Sequence, residues 1–181
     1  MSGKSAISPV VQTFILHWGE LGARWGINRT VAQIHALLYL SSAPLDAGTI
    51  SERLAIARSN ASTSLRELQG WGVIRVVHVL GDRRDHYEAV SDVWEIFTTL
   101  AAARKRREID PTLAVLKKCA AQLAADTQAD PTVKARITAM LGLFETLTTL
   151  IEEMLRLPTA AIRGIAKLRG RLAPLLKGRR R

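Results

Sequence analysis

Between Leu45 and Val90 the chain runs through two short amphipathic segments, a long apolar run and an arginine-bearing turn, and few folds accept that order. Asp46 stands where its carboxylate can accept the free amide protons of an opening helical turn. Leu45 before it and Ile50 after it form the two ends of a hydrophobic staple. Ile50 and Leu54 then share one face, while Glu52 and Arg53 point elsewhere. Ala55 and Ala57 bracket a turn of about three residues, the length that sets two helices at a steep angle. A second helix is predicted from Arg58 to Gln69, with Ala61, Leu65 and Leu68 at i, i+4 and i+7 as its buried stripe. Gly70 and Gly72 end it. Val73 to Leu80 is rich in β-branched residues and predicts a strand, Gly81 to Asp85 a hairpin tip, and His86 to Val90 the returning strand.

Helix, turn, helix and hairpin in this order describe a winged helix-turn-helix. The face of the second helix opposite its buried stripe carries Ser59, Ser62, Thr63 and Arg66, at i, i+3, i+4 and i+7. Short hydrogen-bonding side chains with one long bidentate donor are the chemistry that reads base edges in a major groove. Arg58 and Asn60 flank the stripe where phosphates would lie. A solvated polar face is the plain alternative, but Ser and Thr are mediocre helix formers and their concentration here needs a reason. On the hairpin tip, Arg83 and Arg84 suit a narrow minor groove, where negative potential is concentrated. Asp82 and Asp85 can neutralise them; the expected division has Asp82 orienting Arg84 while Arg83 stays free for phosphate. Double-stranded DNA is the expected partner.

These residues resemble a known family. Asp82-Arg83-Arg84 matches the D-x-R wing of MarR-type regulators, and Leu54 to Leu68 follows their helix-turn-helix pattern. Trp18 to Gly22, Trp25 to Thr30, Ala57 to Asn60, Gly81 to His86 and Arg107 to Thr112 look like the GbsR-type branch, so the resemblance spans about Val10 to Leu123. It implies a dimeric DNA-binding transcriptional regulator, usually a repressor. It also implies a small-molecule effector of the choline or glycine betaine class.

The net charge of +10 does not corroborate the DNA reading by itself. Residues 159–181 hold eight Lys and Arg and no acid, and the remainder carries 18 basic against 16 acidic residues. The basic balance therefore reports the tail, and recognition must rest on local arginines. Apolar residues at helix-like spacing among the tail's arginines offer the alternative of an architectural protein, acting on nucleic acid or a membrane surface through that amphipathic tail. No apolar run reaches the roughly 18 residues of a spanning helix, and no signal peptide is recognised, so a cytoplasmic protein without stable membrane insertion is expected. A single cysteine excludes an internal disulfide framework. Cys119 follows two lysines, yet a lone cysteine on an Ala/Leu helix reads first as a packing residue. The four histidines lack ligand spacing, so neither metal nor cofactor is expected. No nucleophile–base motif or Gly-rich phosphate loop suggests an enzyme.

The expected architecture is mainly α with a small β-hairpin wing: residues 1–91 form amino-terminal helices and the winged helix-turn-helix, 92–158 a helical dimerisation region, and 159–181 a basic tail. Pro9 to Trp25 reads as a helix with Phe14, Leu21 and Trp25 on one face, and Thr30 with Gln33 as the capping box of the next. Asp110-Pro111-Thr112 and Asp130-Pro131-Thr132 both carry a helix-start signature and predict helices over 111–126 and 131–157. Their apolar residues, from Leu113 to Leu155, exceed what one winged helix can cover. A homodimer interface explains that excess, and an intrachain hairpin is the alternative. Two copies would set their reading helices about 34 Å apart on a pseudopalindromic operator. Trp18, Trp25 and Trp94 are candidates for an aromatic effector pocket, through attraction of a quaternary ammonium group to ring faces. Ordinary core packing is the competing reading.

Overall fold

The computed structural model describes residues 7–164, and the chain divides into two compact units, Met1–Ile96 and Phe97–Arg181. In the first, α1 (Pro9–Arg24) packs on α2 (Arg29–Tyr39), followed by β1 (Leu45–Asp46), α3 (Ala47–Leu54), α4 (Arg58–Trp71), β2 (Ile74–Val77) and β3 (His86–Ala89). The strands form an antiparallel sheet in the order β1-β3-β2, with Asp46 opposite His86 and Val77 opposite the same residue on the other side. The winged helix expected from the sequence is thus present, with a third strand, only two residues long, that the sequence had not announced.

The core is built from α2, α3 and α4. Val31, Ile34, Leu37 and Leu38 of α2 meet Ile50 of α3 and Ala61, Leu65 and Leu68 of α4, all nearly inaccessible to water. Leu45 and Ile50, the staple pair, are both buried, and Asp46 caps α3 by accepting from the amides of Gly48 (3.0 Å) and Thr49 (3.3 Å). The turn between α3 and α4 places Ala55 in the left-handed region (φ 52°), and the Ile56 amide closes it onto the Ser51 carbonyl at 3.0 Å.

Helix α1 corrects the sequence reading. Its buried face is Ile15, Gly19 and Gly22, whereas Phe14 and Leu21 are half-buried and Trp25, at the carboxy-terminal cap, is 63% exposed. Two glycines permit a closer approach of α2 than large side chains would: a methyl group on Gly22 would lie 2.6 Å from Cβ of Ala32. The α2 cap is likewise Asn28, whose side chain accepts from the Thr30 amide at 2.8 Å, in place of Thr30 itself.

In the second unit the two Asp-Pro-Thr sequences part company. Asp130 caps α7 (Pro131–Arg156), accepting from the Thr132 amide at 2.7 Å. The helix expected over 111–126 is present as α6 (Asp110–Ala125), but Asp110 does not cap it: α5 (Val93–Arg104) continues through a π-helical turn at Lys105–Ile109 directly into α6. A proline inside a helix lacks an amide proton and crowds the carbonyl four residues back. The wider π turn immediately before Pro111 accommodates that ring, and the Asp110 amide bonds the Lys105 carbonyl in π register. Lys105, with its ammonium 2.7 Å from Asp110 and 2.9 Å from Glu152, pins the turn to α7.

Helices α6 and α7 pack together, but neither contains a fully buried residue. On α7, Ile137, Leu141, Phe144, Ile151 and Leu155 are half-buried. A neighbouring row, Met140, Leu143, Leu147, Leu150 and Leu157, stays exposed. The basic tail falls almost wholly outside the described residues, which end at Gly164. No helix among the described residues is long and apolar enough to cross a membrane.

Candidate nucleic-acid interface

Burial of Ala61, Leu65 and Leu68 fixes the rotation of α4, and the opposite side follows from the helical period. Ser59, Ser62, Thr63 and Arg66 are all exposed on it, as are the flanking Arg58 and Asn60. Ser64, one residue from the stripe, turns inward and is buried. The guanidinium of Arg66 reaches back to the Thr63 hydroxyl at 3.4 Å, so these two side chains lie together along the surface. Ala57 at the amino-terminal cap supplies no side-chain acceptor, leaving the first amides of α4 uncapped by side chains.

The wing is shorter in strand and longer in loop than predicted. β2 ends at Val77, and residues 78–85 form the connection instead of extending the strand to Leu80. The Asp82 amide bonds the Val79 carbonyl at 3.0 Å, closing a turn whose third residue, Gly81, has φ +85°. A positive φ at that position is the pattern of a type II turn, which glycine adopts without steric penalty. The β-branched run predicted a strand, but the turn takes its last two residues.

Beyond this turn the two arginines have different surroundings. Arg84 is held by two carboxylates: its Nε donates to Asp82 at 3.0 Å, and its Nη1 lies 3.1 Å from Asp46. The Asp82 hydrogen bond with Arg84 drives its carboxyl far below the usual range and raises the Arg84 guanidinium in turn. Burial opposes ionisation of Asp46, but hydrogen bonds from Thr49 and Gly48 together with Arg84 hold it below its ordinary value. His86 completes the base of the wing, donating from Nδ1 to the Arg84 carbonyl at 3.0 Å. Arg83 is exposed and makes no ion pair with the described residues.

An open groove of about 430 Å³ separates the wing from α3 and the start of α4, and Arg58, Ser62 and Arg84 all line it with Gly48, Thr49 and Tyr87. Three residues singled out in sequence, from two distant segments, therefore share one surface. Gly48 was not among them, though a methyl group there would sit 2.9 Å from Asp46 Oδ1 and 3.3 Å from Arg58 Nη2. Its place in the first turn after an aspartate cap was its sole sequence signal.

The three candidate tryptophans stand on α1, at its carboxy-terminal cap and on α5. Trp18 stacks on Phe14 of its own helix, with centroids 5.4 Å apart. Trp25 ends α1, and Trp94 stands in the first turn of α5, its amide bonded to Asp92 at 2.8 Å. None of them lines the wing groove, nor a second groove of about 310 Å³ that contains Val11, Leu40 and Arg53.

Residues 25–85, from the end of α1 to the wing loop, match the family model described as MarR family, and all eight predicted DNA-contacting residues lie within that match. Two proteins of Bacillus subtilis (strain 168) are similar in sequence. The HTH-type protein YvaV is 23% identical over 130 residues, which cover 71% of this chain and 73% of YvaV. The HTH-type transcriptional repressor OpcR is 22% identical over 121 residues, 65% of each chain, so this protein spans just under two thirds of OpcR. The fold resembles a crystal structure described as a transcriptional regulator, with a TM-score of 0.63 and 17% identity over 81% of this chain and 96% of that one. Fold and sequence similarity meet at the centre of this chain, where a winged helix-turn-helix coincides with residues that match the MarR family model.

Proposed function

We propose that the protein is a sequence-specific transcriptional repressor of the GbsR-type branch that binds a pseudopalindromic operator as a homodimer. The observation that carries this reading is the exposed row Ser59, Ser62, Thr63 and Arg66 on a helix whose other side is locked into the core. That row enters the major groove and reads base edges, while Arg58 and Asn60 hold the adjoining phosphates. Arg83 and Arg84 meet the neighbouring minor groove or its phosphates. OpcR, described as a repressor, supports the sign of regulation.

The dimer is supported by α7. Met140, Leu143, Leu147, Leu150, Met154 and Leu157 follow one another at alternating spacings of three and four, the seam along which two helices interlock. The Thr146 side chain beside it donates to the Gly142 carbonyl (2.8 Å), and Glu153 on the same border is paired with Arg156 of its own helix at 2.9 Å. An uncharged face suits a second copy of itself, because no like charges meet when it is duplicated.

Selection of duplexes from a random library with the full-length protein, followed by affinity measurements, tests the proposal. Arg66→Ala should weaken binding to the selected sequence by about tenfold or more and relax preference at particular bases. Arg83→Ala should weaken all sequences alike and flatten the salt dependence. Recovery of no preferred sequence would defeat the reading.

A further inference from the structure

The wing carries an apolar corner that the arginine-based account of DNA contact leaves unused. Leu80 is fully exposed, and Val79 beside it is 41% exposed. Single exposed leucines are ordinary on protein surfaces. Position, more than exposure, distinguishes this one. Leu80 occupies the second position of the Val79–Asp82 turn, in the loop that joins β2 to β3, three residues before the unpaired Arg83.

The corner is also held firmly. The Asp82 amide closes the turn onto Val79, and the Asp82 carboxylate grips Arg84. Arg84 is tied in turn to Asp46 at the start of α3. A side chain at the end of this chain of contacts is presented in a set place before any ligand arrives, which lowers the ordering cost of binding.

We propose that Leu80 is an apolar wedge that enters the DNA minor groove and opens a base step beside the phosphates held by Arg83. The proposal rests on the DNA-binding reading above. Minor-groove proteins insert leucine and similar side chains between bases, and the resulting kink lets the duplex follow more of the protein surface. Here the surroundings fit that use: a cation follows the apolar corner within the same loop, so groove and backbone can be engaged together. Flexible pyrimidine–purine steps are the easiest to open, and the wedge should favour them at wing-facing positions that no polar side chain reads.

The test uses duplexes selected by the full-length protein, with 2-aminopurine placed singly at each wing-facing step, and three variants: Leu80→Ala, Leu80→Met and Leu80→Lys. Unmodified protein should raise the 2-aminopurine fluorescence at one step in each half-site. Leu80→Ala should lose that signal and weaken binding by about tenfold, the scale of removing one partly buried leucine contact. Leu80→Met, which keeps apolar reach, should retain both. Leu80→Lys should lose the fluorescence signal whatever its added charge does to affinity. Substitution at a fully exposed turn leaves the core untouched, which an unchanged thermal midpoint confirms. Unaltered affinity in Leu80→Ala, or weakened affinity with no step showing fluorescence in the unmodified protein, overturns the wedge. Neither result touches the DNA-binding reading, which fails only if the protein selects no sequence at all.

Discussion

The Arg84 guanidinium lies 3.1 Å from the Asp46 carboxylate, so the wing is fastened to the same group that caps α3. Pairing of β1 with β3 makes this geometry available, because it sets Asp46 opposite His86, two residues beyond Arg84. Asp46 thus has two duties that substitution can separate. Asp46→Asn keeps an oxygen for the Gly48 and Thr49 amides but gives up the charge that holds Arg84. It should cost less stability than Asp46→Ala, for which a loss of about 2 kcal/mol is expected from the missing cap alone. Both variants should nevertheless speed hydrogen exchange of the β3 amides alike. Urea denaturation and amide exchange measure the two effects; slow β3 exchange in Asp46→Asn would show that the wing does not depend on the pair.

Close approach of α1 and α2 yields a graded prediction. At Gly22 an added methyl meets Cβ of Ala32 at 2.6 Å, an atom fixed to the backbone, so the helices must separate. At Gly19 it meets Cγ of Gln33 at 2.7 Å and Cγ of Arg29 at 3.1 Å, both on side chains that can rotate away. Gly22→Ala should therefore destabilise by about 1–3 kcal/mol, and Gly19→Ala by clearly less. Thermal unfolding of the two variants side by side decides the order.

Which features were legible follows from how local their causes are. The rotation of α4 could be read because three apolar residues at i, i+4 and i+7 dictate it, and the exposed row follows by geometry. Asp46 was readable as a cap for the same reason: its partners are two and three residues away. Its bond to Arg84, 38 residues further along the chain, depends on strand pairing, which no periodicity encodes. The α1 face was misread because the buried positions are glycines, which carry no hydropathy signal and matter only through what approaches them. Asp110-Pro111-Thr112 and Asp130-Pro131-Thr132 are identical in sequence, and only the second caps its helix, the first continuing one already under way. Whether the preceding residues can widen into a π turn and anchor it through Lys105 is a tertiary matter.

Buried His35 predicts a pH dependence of stability. It sits on α2 with Nε2 unpartnered, and burial pushes its pKa from 6.5 down to about 4. The folded protein therefore keeps His35 neutral over a range in which the unfolded chain takes up a proton. Stability is present in full above pH 6.5 and is lost as pH falls toward 4. Between pH 7.5 and pH 5 the loss from this group is about 2 kcal/mol. Urea denaturation at these two pH values should show it in the unaltered protein, with a much smaller difference in His35→Leu. An equal difference in both would assign the dependence to other groups.

The dimer proposed along α7 carries a prediction of its own. Leu147 and Leu150 stand in the exposed row, next to the row of half-buried residues that includes Phe144 and Ile151. Replacing both by Glu would place four carboxylates in a duplicated apolar seam. Burying even one unpaired charge costs several kcal/mol, enough to abolish association at micromolar concentration. The chain itself should still fold, because these side chains already face solvent and the α6–α7 packing is untouched. Light scattering should then report a dimer for the unaltered protein and a monomer of equal helical content for Leu147→Glu/Leu150→Glu. Operator affinity should fall far more than affinity for a single half-site, since one reading helix would have to bind without its partner. A double variant that remains dimeric would move the interface off α7.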